Sequence, residues 1–84
     1  MVNLIKPRMV ENFNDLEDLI NYIILEQKED FSKRDIINEV QESEFFNNFT
    51  TEAYLMNMVG QKINLLCVHK TLLKTKNGKY SVIK

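Results

Sequence analysis

The sequence predicts a small, mainly α-helical domain closed by a C-terminal β-hairpin, an α+β fold of three helices and two strands. Three observations carry this expectation. Apolar residues recur at helical spacing in three separate stretches, each opened by a capping residue. An Asn-Gly pair, Asn77-Gly78, stands between two β-prone runs near the end. The chain is 84 residues long, 44% hydrophobic and 27% charged, with two glycines and one proline. That length and balance suit one core, so residues 1–84 read as a single domain, with 1–13 as an extended N-terminal arm.

The first helix is expected over about residues 15–28. Asn14-Asp15-Leu16-Glu17 resembles a capping box, and Leu16, Leu19, Ile20 and Ile23 follow on one side. Asp18, Tyr22, Leu25 and Glu29 fall on the outward side, where Tyr22 and Leu25 read as a candidate homodimer contact. The second start is the sharpest. Ser32 and Asp35 form a variant capping box, and Phe31 and Ile36 are spaced as a hydrophobic staple. A helix over about 33–43 follows, with Ile36, Ile37 and Val40 facing the core.

Ser43 to Thr50 is a connection holding Phe45, Phe46 and Phe49, which read as a floor for the small core and alternatively as a partner-binding patch. A third helix is expected from Thr50 or Thr51 to about 68, with Leu55, Val59, Ile63 and Leu66 on its inner side and Met56 and Met58 flanking. On the opposite side Tyr54, Asn57, Gln61 and Asn64 form a polar, amide-rich stripe. Gly60 beside it reads equally as a position of close backbone approach and as a packing contact or helix break.

A two-residue turn at Asn77-Gly78 sets a hairpin register with Lys76 opposite Lys79, Lys74 opposite Ser81 and Leu72 opposite Ile83. Thr75–Tyr80 and Leu73–Val82 then share the other face. Two lysines directly opposed repel, so such a tip suits contact with anions; the alternative is a solvated turn guarding an edge.

The net charge of −1 conceals a division along the chain. Residues 1–50 hold five basic against eleven acidic side chains, a balance of −6; residues 51–84 hold six against one, a balance of +5. Such asymmetry points to a basic binding face, or to two halves that neutralise one another.

The inventory points away from an enzyme. His69 is the single histidine, placed at the end of the third helix, and Cys67 two residues before it has no further partners for a zinc site. With only Gly60 and Gly78 there is no phosphate-cradling loop. Glu26, Glu29 and Asp30 lack the spacing of a calcium loop. No catalytic residue, metal or cofactor is expected. A lone cysteine, no apolar stretch suited to a signal peptide and no run of about 20 apolar residues lead to the expectation of a cytoplasmic protein away from membranes.

The second helix from Ser32, the third from about Thr51 and the Leu72–Ile83 hairpin as wing together resemble the winged helix-turn-helix superfamily, over roughly residues 14–84. One departure is the connection between helices two and three, longer than the usual 3–4 residues, so that helix two runs on or a further helical turn intervenes. The resemblance implies a double-stranded DNA-binding regulator, working as a dimer, with the third helix in the major groove. Thr51, Tyr54, Asn57, Gln61 and Asn64 are then the base-reading candidates, since amides match adenine edges. Lys62, Lys70, Lys74, Lys76 and Lys79 are the phosphate candidates. Members that bind proteins instead make an adaptor the alternative.

Overall fold

In a computed structural model, residues 6–83 are described. The elements run α1 (Phe13–Leu25), α2 (Lys33–Glu42), α3 (Glu52–Val68), β1 (Leu72–Lys74) and β2 (Tyr80–Val82). The two strands pair antiparallel, and the whole is mainly α with a small hairpin, compatible with a winged-helix layout.

α1 starts and stops earlier than its sequence suggests. The N-cap is Asn12, whose side chain accepts from the Asp15 N–H at 2.9 Å. Asn14 therefore lies inside the helix rather than capping it. Asp15 turns back to accept from the Glu11 N–H at 3.1 Å and from Arg8 Nη2 at 2.6 Å and Nε at 3.0 Å. The guanidinium, which lies on the arm outside the helix, fixes this start. Glu17, expected to reach back to the cap, pairs instead with Lys62 on α3. Tyr22 and Leu25 are half-buried, and Leu25 packs against the core, so they do not form an exposed apolar face.

α2 begins where the sequence places it. The Ser32 hydroxyl accepts from the Asp35 N–H at 3.1 Å and the Asp35 carboxylate accepts from the Ser32 N–H at 2.9 Å. Phe31 and Ile36, the staple residues, are both buried. α2 does not run on past Glu42, and successive tight turns, not a further helix, fill Ser43–Thr50. The Phe46 N–H donates to the Ser43 carbonyl and the Phe49 N–H to the Phe46 carbonyl. Asn47 and Asn48 take φ of 48° and 52°, a left-handed conformation that asparagine tolerates better than most side chains. Phe46 is buried and Phe45 and Phe49 pack against the core, making the expected floor. The Val10 N–H donates to the Phe45 carbonyl at 2.9 Å and the Val10 side chain is buried. The described part of the arm is thus tied down; Met1 to Ile5 lie outside the described residues.

The core joins Leu16, Leu19, Ile20 and Ile24 of α1, Ile36, Ile37 and Val40 of α2, Leu55, Val59 and Ile63 of α3, and Leu72 of β1.

The hairpin register differs by one residue from the sequence expectation. Leu72 faces Val82, Leu73 faces Ser81 and Lys74 faces Tyr80. The Thr75 N–H donates to the Lys79 carbonyl at 2.8 Å, leaving a three-residue loop of Lys76, Asn77 and Gly78 with Gly78 at φ 73°. Asn77 is not in the left-handed region, whereas a type I′ turn needs both central residues there. Lys76 and Lys79 are consequently not opposed, and the like-charge pair read from the sequence does not form. The physical reason is burial. The observed register sets Leu72, Tyr80 and Val82 on the core side, whereas the two-residue turn would have paired Leu72 with Ile83.

Phe31 and Tyr80 exchange both backbone hydrogen bonds, at 2.9 and 2.7 Å, and their rings lie 6.0 Å apart. This bridge sews the residue before α2 onto β2 and fixes the hairpin beside the start of α2.

Candidate nucleic-acid interface

α3 presents its outer side to solvent along its whole length because only Leu55, Val59 and Ile63 are fully buried. Tyr54, Asn57, Gln61 and Asn64 are all exposed, so the expected stripe exists as one face. Asn57 Oδ1 accepts from Gln61 Nε2 at 3.3 Å, which orders the two amides while leaving hydrogen-bonding capacity on both. Tyr54 is about half exposed, its ring 5.0 Å from Phe13, which itself meets Phe49 edge-on at 5.0 Å. Phe13 thus braces the aromatic end of the stripe from α1.

Thr51 has a different first task. It is the N-cap of α3, and its hydroxyl oxygen accepts from the Tyr54 N–H at 3.2 Å. Gly60 interrupts nothing in the helix. A side chain there would meet the tip of Lys33, whose Nζ lies 2.9 Å from the position a Cβ would take, so Gly60 is a packing contact with α2.

The five expected phosphate-contacting lysines divide. Lys62 leaves the set: its side chain is 15% exposed and its Nζ lies 3.2 Å from Glu17 Oε1, locked between α3 and α1. The helical angle explains this, since position 62 falls on the α1 side of α3 rather than on the outer stripe. Lys70, Lys74, Lys76 and Lys79 are exposed and make no ion pair among the described residues. Lys70 ends α3 in a Schellman arrangement: its N–H donates to the Cys67 carbonyl and the Thr71 N–H to the Leu66 carbonyl. Lys70 sits at φ 61°, where glycine is the usual occupant.

Charge also gathers where the sequence division did not point. Lys33 and Arg34 stand in the first turn of α2, and Arg34 reaches α3 to pair with Glu52 at 2.7 Å. Lys79 lies near enough to help hold the Asp35 carboxyl below its ordinary value, although the Ser32 N–H is the main cause. Counting charge by halves hid these residues because they lie in the acidic half. The signal available was their place immediately after the Ser32 cap.

Some apolar side chains are exposed as well. Leu65 and Val68 are exposed on the last turns of α3, and Leu73 and Ile83 on the outer face of the hairpin. Glu17, Met58, Gln61, Lys62 and Leu65 line a shallow groove of about 160 Å³ between α1 and α3. His69 is the C-cap of α3 and Cys67 is a half-buried free thiol. Among the described residues no cluster of three His, Cys, Asp or Glu side chains could hold a metal, and no helix is long and apolar enough to cross a membrane. No family model, curated protein or solved structure matches the chain.

Proposed function

We propose that this chain is a winged-helix DNA-binding domain that serves transcription regulation in the cytoplasm, with α3 in the major groove and the hairpin lysines on phosphates. The observation that carries the reading is the exposed stripe of Tyr54, Asn57, Gln61 and Asn64 on a helix whose opposite side, Leu55, Val59 and Ile63, is buried in the core. Asparagine and glutamine amides can pair bidentately with adenine in the major groove. The free ammonium groups of Lys70, Lys74, Lys76 and Lys79 supply the sequence-independent attraction.

The test is a salt titration of binding to random duplex DNA. Counterion release gives a log–log slope near −0.9 per neutralised phosphate. Joint replacement Lys76→Ala with Lys79→Ala is expected to weaken binding to all sequences alike and to flatten the slope by about two contacts. Because the two lysines are not opposed across the hairpin, no stability is gained by removing them. The stoichiometry of the same complexes reads whether one chain or a homodimer occupies a site.

A protein-binding adaptor is the second reading, favoured by the exposed Leu65, Val68, Leu73 and Ile83. Absence of binding to duplex DNA even at low salt would support it over the first.

A further inference from the structure

Asn77 and Gly78 carry a chemistry that the DNA-binding reading does not use. The backbone nitrogen of a residue following asparagine can attack the side-chain amide carbon. A new C–N bond closes a succinimide ring, the bond to the amide nitrogen breaks, and ammonia leaves. Water then opens the ring to aspartate or isoaspartate, so one water is consumed and one ammonia released, with no oxidant or cofactor. The step is governed by access to the attacking nitrogen. A bulky following side chain obstructs it, and a helical hydrogen bond ties it up.

The chain has ten asparagines, and only Asn77 precedes glycine, which has no Cβ to obstruct the attack. Asn14, Asn21, Asn38, Asn57 and Asn64 lie inside α-helices. Asn12 has its side chain engaged as the cap of α1. Asn48 is followed by Phe49, whose N–H donates to the Phe46 carbonyl at 3.0 Å. Asn47 is exposed, but the residue after it is Asn48, which carries a side chain, and Asn3 lies outside the described residues. Asn77 differs in its glycine neighbour: both it and Gly78 are exposed at the hairpin tip, and the Gly78 N–H has only a long 3.3 Å bond to the Thr75 carbonyl. We propose that Asn77 is a self-modification site whose deamidation sets a carboxylate between Lys76 and Lys79 and weakens the lysine tip toward polyanions. The chemistry stands on the hairpin alone. Its effect on binding rests on the DNA-binding reading.

The experiment ages the purified full chain in warm, mildly alkaline buffer and follows it by intact mass and peptide mapping. The peptide containing Asn77 is expected to gain the mass of amide-to-acid conversion several times faster than any other asparagine-bearing peptide. Asn77→Gln is expected to suppress this early gain. Its longer side chain closes the corresponding ring slowly, and it leaves the left-handed Gly78 position untouched. Aged protein and Asn77→Asp are then expected to bind random duplex DNA several-fold more weakly than fresh protein, with the salt slope reduced by about one phosphate contact. Conversion at other asparagines first, or equally fast in Asn77→Gln, overturns the modification site. Aged protein and Asn77→Asp binding as tightly as fresh protein overturns its effect on the lysine tip. Failure of fresh protein to bind DNA removes the DNA-binding reading and this effect with it, while the mass measurement still decides the site.

Discussion

The two faces of α3 are built from one helix but do different work. The inner face, Leu55, Val59 and Ile63, is buried in the core that α3 shares with α1, α2 and β1. The outer face, Tyr54, Asn57, Gln61 and Asn64, is held only by Phe13 at one end and by the Asn57–Gln61 contact in the middle. Stability and recognition are therefore carried by separate side chains on the same turns. Substitutions on one face are expected to be nearly silent in the measurement that reads the other.

The largest expected effect breaks the inner face. Leu55→Ala should destabilise the fold by roughly 2–5 kcal/mol in denaturant unfolding, because it removes packed methyl groups and leaves a cavity. A loss below about 1 kcal/mol would mean that α3 is not seated on the core as described.

Next comes the outer face. Asn57→Ala or Gln61→Ala should lower affinity for a preferred duplex site, once selected from random sequences, by roughly 1–3 kcal/mol. Nonspecific binding should change little and stability should stay within about 0.5 kcal/mol of the parent. Equal losses on preferred and random DNA would place these amides on the backbone rather than on bases.

Two glycine-related changes sharpen the comparison at the edges of the helix. Lys70→Gly relieves a left-handed lysine and should raise stability by about 1 kcal/mol while removing one candidate phosphate contact. Gly60→Ala should also stabilise, by up to about 1 kcal/mol, because only the flexible tip of Lys33 has to move and the helix gains propensity. Thermal unfolding of both variants reads these gains, and a loss in Gly60→Ala would show that Lys33 cannot yield.

The smallest expected effect is a pH dependence shared by two helix starts. The Arg8 guanidinium, followed by the Glu11 N–H, holds the Asp15 carboxyl below its ordinary value of 3.8, and the Ser32 N–H does the same for Asp35. A carboxyl that is more acidic when folded binds its proton first in the unfolded chain. Its contribution is complete above the ordinary value and disappears as pH falls through the lowered one. Unfolding in urea at a series of pH values should show stability falling below about pH 4, and Asp15→Asn should flatten that fall.

These two starts also show how legible the chain is. Ser32, Asp35, Phe31 and Ile36 act on one another within five residues, and the sequence locates α2 from them directly. Asp15 works through Arg8, seven residues away on the arm, and local spacing cannot see that partner. The amide stripe was legible for the same reason as α2, since it follows from helical period alone. The angle of Lys62 on α3 was legible in the same way, but its pairing with Glu17, forty-five residues earlier, was not.

The elements follow from the chain's local chemistry: three helices, their inner faces, the polar stripe of α3 and a hairpin near Asn77-Gly78. Capping, periodicity and turn chemistry act between near neighbours, so these features are written locally. The hairpin register, the start of α1, the turns at Ser43–Thr50 and the partners of the lysines depend on contacts between distant residues. The register shows why. Asn-Gly favours a two-residue turn on its own, but Tyr80 and Val82 reach the core beside Leu72 only if the loop holds three residues. A slip of one residue turns every side chain of β2 to the other face, so burial outweighs the preference of the turn.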